Sequence, residues 1–282
     1  MYKTKLCLGV SKSFDIPPSE QIRLFKETGF ECFFTEWERG GKIGEYKRIA
    51  DELGMIYQSV HAPFGKIEKM WMDDAEAAQN VVSELIECVN DCAENDVPIM
   101  ICHVWKGFNT PDVPNDTGVA NFEKVVRAAE KLGVKIAFEN TEGEEFLEKI
   151  MSALGKYENV GFCFDSGHEL CYNFSRDMLA KYGSRLIATH LNDNLGIKSF
   201  EGNTHWLDDL HLLPYDGVAD WDKIAADLSS LGFSGPLTFE LIKKSKPGRH
   251  DNDKYYKLPI EEYLAEAYAR ACRVATAFCR HN

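Results

Sequence analysis

Residues 135–168 read KIAFENTEGEEFLEKIMSALGKYENVGFCFDSGH, and this stretch decides the fold class. An apolar run at 135–140 ends in Glu139 and Asn140, and an amphipathic stretch with helical spacing follows at 144–154. A second apolar run, at 160–167, contains Asp165 near its end. Both runs are short and apolar throughout, as expected of strands that are buried on both faces. The segment therefore predicts one strand–helix–strand unit of a parallel sheet.

The same alternation extends over the whole chain. The other short apolar runs lie at 5–10, 32–37, 55–62, 99–105, 186–193 and 236–242. The other amphipathic stretches lie at 18–28, 43–53, 73–95, 119–132, 175–182, 220–232 and 259–280. Eight such units predict an α/β protein, a single (β/α)8 TIM barrel domain over residues 1–282. The alternative, an open doubly wound sheet, usually has a Gly-rich first turn, and VSKSFD at 10–15 has none.

Composition narrows the function classes. The formal net charge is −13, which makes nucleic acid an improbable partner because duplex binding depends on clustered Lys and Arg. The N-terminal apolar run is about five residues long, too short for a signal peptide, and no later segment resembles a membrane span. The nine cysteines lack paired CxxC spacing, so we interpret them as reduced core thiols. We expect a cytoplasmic protein.

Polar residues gather at the predicted carboxyl ends of the strands, the functional face of such barrels, which we call the mouth. The residues at strand ends or in the loops just after them are His61, His103, Glu139, Asp165, His168, His190, Asp209, His211 and Glu240. A lone His or Glu at a strand end is usually only solvated or hydrogen-bonded. Here five of the eight histidines share one face with several carboxylates, and burying such a group is costly unless a cation neutralises it.

The sequence therefore predicts a divalent metal at the mouth and no organic cofactor. Oxygen and nitrogen ligands without thiolate favour Mn, Co, Zn or Fe over calcium or Cu⁺. Cys102 and Cys163 are interpreted as core thiols. Trp37 and Trp105 could stack on a ligand or cap the core. The loop after the eighth strand, which contains Lys243, Lys244, Lys246 and Arg249, could bind phosphate or be merely solvated.

Several motifs, in this order and at these strand ends, carry a family resemblance. They are HAPF, IAFEN, FDSGH, THLND, DLHLLPYDGVADW and TFE. Together they resemble the xylose isomerase-like TIM barrels, which include sugar isomerases, sugar epimerases and the endonuclease IV enzymes. In the isomerase and epimerase branch, the resemblance implies one metal held by Glu139, Asp165, His190 and Glu240, with His168 in contact with the substrate.

The endonuclease IV branch builds a three-zinc cluster from nine ligands instead. All nine positions have a matching residue type here, so His61, His103, His168, Asp209 and His211 are additional metal-ligand candidates. That branch also has a Gly/His-rich first turn and basic DNA-contacting loops. The segment GVSKSFD and the acidic balance of this chain differ from both, which favours the isomerase and epimerase branch.

The expected function is a divalent-metal-dependent isomerase or epimerase of a sugar, sugar phosphate or polyol. Glu139 and Glu240 would transfer the proton through a metal-stabilised enediolate. Expected substrate contacts are His61, His103, His168, Trp105 and Lys106, and Asn192 or Asp193 would orient His190. The alternatives are an endonuclease IV-type zinc phosphodiesterase acting on abasic DNA, a dehydratase or lyase, and a non-catalytic carbohydrate-binding barrel that contains a metal. The partner is a small sugar or polyol, and a homo-oligomer is possible.

Overall fold

The computed structural model describes residues 4–110, 112–198 and 200–281, and strands and helices alternate along these ranges. The strands are β1 (Leu6–Gly9), β2 (Cys32–Glu36), β3 (Ile56–His61), β4 (Ile99–Cys102), β5 (Lys135–Glu139), β6 (Val160–Asp165), β7 (Leu186–His190) and β8 (Leu237–Phe239). The α-helices are α1 (Pro18–Thr28), α2 (Ile43–Leu53), α3 (Ala75–Glu94), α4 (Asp116–Leu132), α5 (Glu144–Leu154), α6 (Ser166–Cys171), α7 (Met178–Tyr182), α8 (Trp221–Ser230), α9 (Asp253–Tyr256) and α10 (Ile260–Arg280).

The strands form one parallel sheet that curls into a barrel. Pairing runs in sequence from β1 to β7, and β1 also pairs with β8. The remaining seam, between β7 and β8, is joined just beyond the end of β7, where the Leu191 N–H donates to the Thr238 carbonyl at 2.7 Å. Leu191 also forms an isolated parallel bridge with Phe239. The predicted (β/α)8 barrel is confirmed.

Strand alternation determines which side chains reach the mouth. Strands β4 to β7 contribute one apolar side chain each to a small cluster inside the barrel, made of Ile101, Ala137, Cys163 and Ala188. Side chains two residues apart on a strand face the same side, so the residues two positions later also point inward, one layer nearer the mouth. Those residues are His103, Glu139, Asp165 and His190. The other face of each strand packs under the helices in the main apolar core.

Two helices after β6 differ from the sequence prediction. The helix expected at 175–182 begins only at Met178, because Phe174 and Ser175 have φ of 56° and 55° and Asp177 caps the helix. The Asp177 Oδ1 accepts the Ala180 N–H at 2.8 Å. The short helix α6 is absent from the prediction. Asp165 caps it by accepting the His168 N–H at 2.7 Å, so the cap of α6 is itself a predicted metal ligand.

The cysteines and the helices bear on the expected reduced thiols and on membrane spans. All nine cysteines are free thiols, and seven of them are buried. In the ranges that the structure describes, none of the helices combines the length and the apolar character needed to cross a bilayer.

Candidate metal centre

Four predicted ligands from β5, β6, β7 and the end of β8 converge at the centre of the mouth. Glu139, Asp165, His190 and Glu240 each present one donor atom, and these four atoms lie within 4.8 Å of one another. The His190 Nδ1 is 2.8 Å from the Glu139 Oε1 and 3.1 Å from the Glu240 Oε2. The first three side chains are fully buried, whereas Glu240 is partly exposed. We call this set the first donor group.

A second donor group consists of His61, His103 and Glu139. The Glu139 Oε2 is 3.1 Å from the His103 Nε2 and 3.3 Å from the His61 Nε2. Glu139 therefore presents one oxygen to each group, Oε1 to His190 and Oε2 to the two histidines. The two imidazole Nε2 atoms are themselves only 3.2 Å apart.

The third donor group comes from α6 and the loop after β7. It consists of His168, Asp209 and His211, whose donor atoms again lie within 4.8 Å of one another. The Asp209 Oδ2 is 3.0 Å from the His211 Nε2, and its Oδ1 is 3.5 Å from the His168 Nε2. All nine predicted ligand positions are thus brought into three adjoining groups at one mouth.

Backbone carbonyls fix how three of the histidines present their nitrogens. The Nδ1 atoms of His61, His168 and His211 lie 2.8, 3.0 and 3.2 Å from the carbonyl oxygens of Ala62, Asn140 and Glu240, respectively. A carbonyl oxygen only accepts, so each Nδ1 carries a proton, and Nε2 is the nitrogen whose lone pair is available in the neutral ring. This is the usual arrangement of a histidine that binds a metal through Nε2.

The donor set fits a divalent cation on a second ground. The Glu139 Oε2 in the second donor group and the Asp209 Oδ1 in the third are buried without a hydrogen-bond partner among the described residues. Buried polar atoms are normally paired, because leaving one unpaired costs about 1–3 kcal/mol. Two facing Nε2 lone pairs next to a carboxylate oxygen also repel unless a proton or a cation lies between them. The residues present therefore fit a metal held by oxygen and nitrogen.

The pKa shifts of the histidines reflect the balance between burial and the negative charge of the neighbouring carboxylates. Burial disfavours the charged imidazole of His190, but the charges of Glu139 and Glu240 outweigh burial and raise its pKa to about 10. Burial also disfavours the charged imidazole of His211, but the charges of Asp209 and Glu240 outweigh burial and raise its pKa to about 9. At His103, burial dominates and lowers the pKa to about 4, so this ring stays neutral. A divalent cation would supply the charge that protons otherwise provide.

Cys163 lies directly below the first donor group. Its Sγ is within 4.8 Å of donor atoms of Glu139 and His190. Burial raises the pKa of this thiol well above its ordinary value, and the charge of Glu139 raises it further. A neutral thiol is a poor ligand, because metals bind the thiolate. Burial thus favours the interpretation of Cys163 as a core thiol, while its position also lets the sulfur reach the same donor atoms.

The predicted orienting role of Asn192 and Asp193 toward His190 was wrong. The Asn192 Nδ2 donates to both oxygens of Asp165, at 3.1 and 3.0 Å, and so fixes that carboxylate instead. Gly167 leaves room for this contact, since a Cβ at position 167 would lie 1.9 Å from the Asn192 Oδ1. The nearest contact of Asn192 with His190 is to the backbone carbonyl, at 3.5 Å.

Asp193 holds the loop that leads from β7 to α8. Its Oδ1 accepts the N–H groups of Asn194 and Ala219 at 2.8 and 3.0 Å. Its Oδ2 accepts the Tyr215 N–H at 2.8 Å and the Trp221 Nε1–H at 2.9 Å. The side chain is fully buried, and these donors satisfy its charge. The loop so fixed also contains Asp209 and His211 of the third donor group.

A cleft of about 440 Å³ opens above the donor groups. It is bordered by His103, His168 and Asp209 from the donor groups and by Phe64, Lys106, Phe108, Glu142, Tyr172, Trp206 and Lys246. Phe64 stacks on His103 with ring centres 4.3 Å apart, and Tyr172 stacks on His168 at 4.9 Å. The Glu142 Oε1 accepts the Gly107 N–H at 3.1 Å. The volume and the mixed aromatic and polar lining suit a small polar ligand.

The predicted substrate contacts fall into different places. His103, His168 and Lys106 line this cleft, while His61 lies beside His103 in the second donor group. Trp105 does not line it, because its buried indole stacks on Phe146 with ring centres 3.9 Å apart. The indole of Trp37, also buried, donates to the Asp91 carboxylate at 2.6 Å.

Sequence reasoning missed several of the cleft side chains. They are Phe64, Phe108, Glu142, Tyr172 and Trp206. Phe64 stands inside the quoted HAPF motif, and Tyr172 follows His168 by four residues, the helical spacing that would have placed the two rings together.

Comparison with known proteins agrees with this architecture. Residues 22–267 match the family described as xylose isomerase-like TIM barrel. The uncharacterised protein y4fM of Sinorhizobium fredii is 33% identical, with 80% of each chain covered. The solved structure of the IolI protein with a bound zinc atom has a TM-score of 0.73 at 19% identity and covers 97% of this chain and 99% of its own. The solved structure of an L-ribulose 3-epimerase has a TM-score of 0.72 at 13% identity and covers 98% and 96%, respectively. The chain therefore belongs to the xylose isomerase-like TIM barrel family.

Proposed function

We propose that this protein is a metal-dependent isomerase or epimerase that moves a proton next to the carbonyl of a small sugar. One observation carries the proposal. Two carboxylates, the Oε1 of Glu139 and the Oε2 of Glu240, lie 2.8 and 3.1 Å from the same nitrogen of His190. The adjoining donor groups contribute His103, His168 and Asp209 to the cleft of about 440 Å³. Paired carboxylates next to a cleft of this size are suited to removing and returning a proton.

The first donor group would hold the metal, with Asn192 fixing the carboxylate of Asp165. When bound, the metal supplies electrophilic stabilisation of the negative charge that develops on the substrate oxygen. Carboxylate and imidazole ligands without thiolate favour Mn, Co, Zn or Fe. The zinc atom bound in the IolI structure supports a metal in a protein of the same fold.

Glu139 and Glu240 would perform the proton transfer. One carboxylate removes the proton from the carbon beside the carbonyl, and the other delivers a proton to the opposite face, which inverts that carbon. If one carboxylate performs both steps on neighbouring carbons, the product is the aldose–ketose isomer. Glu240 is partly exposed and so accessible to a substrate, whereas Glu139 is fully buried beside it.

The cleft side chains would select and orient the substrate. His168 and Glu142 can bind hydroxyl groups, and the rings of Phe64, Phe108 and Trp206 can pack on the apolar face of a sugar. The L-ribulose 3-epimerase of the same fold supports a ketose as the substrate class. The free thiols of the chain support a reducing compartment, and we place the reaction in the cytoplasm.

The decisive experiment follows deuterium rather than net conversion. The metal-loaded protein is incubated with a panel of ketoses in deuterated water, and incorporation at carbon is measured by nuclear magnetic resonance. We expect Glu240→Gln to slow exchange by about 10²- to 10⁴-fold, because it removes one acid/base group. The control is Glu38→Gln, a carboxylate on the exposed surface.

Circular dichroism and metal analysis establish that Glu240→Gln is folded and loaded. Unchanged exchange in that loaded variant would contradict the acid/base role of Glu240. If none of the ketoses exchanges with the unaltered protein, the proposal fails for this substrate class.

A second candidate function has one observation in its favour. The three adjoining donor groups, with Glu139 shared between two of them, also suit a multi-metal phosphodiesterase that acts on abasic DNA. Elemental analysis of protein purified without chelator separates the two functions. About one metal per chain supports the isomerase or epimerase, whereas about three zinc ions with cleavage of an abasic duplex would replace it. In either case, Asp165→Asn with His190→Ala should remove metal from the first donor group.

A further inference from the structure

Two lysines face the cleft from opposite sides of the barrel. Lys106 follows β4 and Lys246 follows β8, strands that lie on opposite sides in the strand order, yet both line the same cleft. The Lys106 Nζ lies 5.6 Å from the centre of the Phe64 ring and has no carboxylate partner in the described parts of the chain. The Lys246 Nζ lies 5.8 Å from the Trp206 ring and 3.6 Å from the Asp209 Oδ2, longer than a hydrogen bond.

The other cations of the loop after β8 are directed elsewhere. The Lys243 Nζ donates to the Tyr256 carbonyl at 2.9 Å, and the Lys244 Nζ to the Asp15 Oδ1 at 2.6 Å. Within residues 243–249, all of which the structure describes, Lys246 is thus the cation that lines the cleft. These contacts distinguish Lys246 from Lys243 and Lys244, whereas the sequence pattern of the loop does not.

The backbone that carries Lys246 is anchored. The Arg249 Nη1 donates to the fully buried Asp208 Oδ1 at 2.8 Å, which ties the loop after β8 to the loop after β7. The Arg249 N–H also donates to the Lys246 carbonyl at 2.9 Å and closes the turn between them. A lysine on an anchored turn loses less conformational freedom when it binds an anion, so this position is preorganised.

The charge pattern indicates what the cleft recognises. The cleft lining has charges of both signs, namely the ammonium groups of Lys106 and Lys246 and the carboxylates of Glu142 and Asp209. Glu142 accepts the Gly107 N–H, and Asp209 lies in the third donor group. A neutral sugar therefore leaves Lys106 without a charged partner among the described residues, whereas phosphate and carboxylate oxygens form charge-assisted hydrogen bonds with both lysines. Building on the proposed function, we propose that the substrate is an anionic sugar whose phosphate ester or carboxylate is bound by Lys106 and Lys246.

The test compares matched ketoses on the metal-loaded full-length chain. The probes are a ketohexose, its 6-phosphate and the ketohexuronate of the same configuration, so that the two anionic arms distinguish phosphate from carboxylate. Lys106→Met and Lys246→Met keep the length of the side chain and remove the charge. We expect each to raise KM for the preferred anionic substrate by about 10- to 100-fold, the loss of one charge-assisted hydrogen bond, with little change for the neutral ketose. Lys244→Met is the control, since Lys244 pairs with Asp15 instead of lining the cleft.

Calorimetric binding of the same three probes keeps this proposal separate from the proposed function. Binding of an anionic probe that depends on both lysines, without turnover or deuterium exchange, supports the anion site and counts against the isomerase or epimerase. Equal binding of neutral and anionic probes would overturn the anion site, as would an anion preference that survives both lysine substitutions. Lysine-dependent binding of an abasic DNA duplex, without binding of either anionic sugar, would also overturn it.

Discussion

Asp193 offers the sharpest test of how the mouth is held together, because a single-atom change there leaves shape intact. In Asp193→Asn, one carboxylate oxygen becomes an NH₂ group. Whichever way the amide points, two of the N–H donors that Asp193 now binds would face other N–H groups. Two charge-assisted hydrogen bonds are lost, and two buried donors are left without an acceptor.

The magnitude follows from the count of bonds. A hydrogen bond to a charged acceptor stabilises by about 1.5–3 kcal/mol, so losing two destabilises the fold by about 3–6 kcal/mol. For a chain of this size, each kcal/mol lowers Tm by about 2 °C, which gives an expected fall of roughly 6–12 °C.

Thermal unfolding followed by circular dichroism measures this fall. The control is Asp220→Asn, in which the Oδ1 of Asp220 accepts the Lys223 N–H at the start of α8, at 3.0 Å. Asn caps a helix about as well as Asp does, so the control should melt close to the unaltered protein. If Asp193→Asn melts within about 2 °C of the control, the reasoning about the buried carboxylate is refuted.

Three further outcomes are expected. Gly167→Ala should weaken metal binding by about 10- to 100-fold in calorimetric titration, because the added Cβ would displace Asn192 from the carboxylate of Asp165. Gly65→Ala is the control, since the space around its Cβ is open. Equal metal affinity of the two variants would contradict the role of the Asn192–Asp165 contact. Tyr263→Phe should melt no lower than the unaltered protein, because the buried hydroxyl has no hydrogen-bond partner among the described residues; a clear fall in Tm would reveal one. Saturation with metal at about 100 times its Kd should raise Tm by about 5 °C over chelated protein, and an unchanged Tm would mean that the folded donor groups bind no metal.

Much of the barrel could be predicted because strand and helix periods are local properties of the sequence. The helix at 144–154 was bounded correctly, since its apolar spacing and the following Gly155 define it without tertiary information. The strand ends also indicated six of the nine candidate positions, because alternation along a strand determines which side chains face the mouth, whereas His168, Asp209 and His211 lie in the segments after β6 and β7. In this way Ala137 predicts the inward position of Glu139.

The remainder depends on contacts between residues that are distant in the chain. The hydrogen bonds from Asn192 to Asp165 join the ends of β6 and β7, and the sequence around either residue contains no pattern that predicts them. Trp105 could not be assigned to core or cleft from sequence, because the choice depends on its stacking with Phe146 from α5. Among the lysines after β8, only the three-dimensional contacts identify Lys246 as the one beside the cleft.

The first donor group also lies across the seam between β7 and β8, where the barrel closes. Two backbone hydrogen bonds join this seam, since the Leu191 N–H donates to the Thr238 carbonyl at 2.7 Å and the Glu240 N–H donates to the Leu191 carbonyl at 3.2 Å. The side-chain hydroxyl of Thr189 also accepts the Thr238 N–H at 3.1 Å. His190 and Glu240 stand on the two sides of this seam, so a cation bound to both acts as a cross-link that closes the cylinder. Chelation should therefore accelerate amide hydrogen exchange first at Leu191 and Glu240, while the continuous ladder between β4 and β5 keeps its protection.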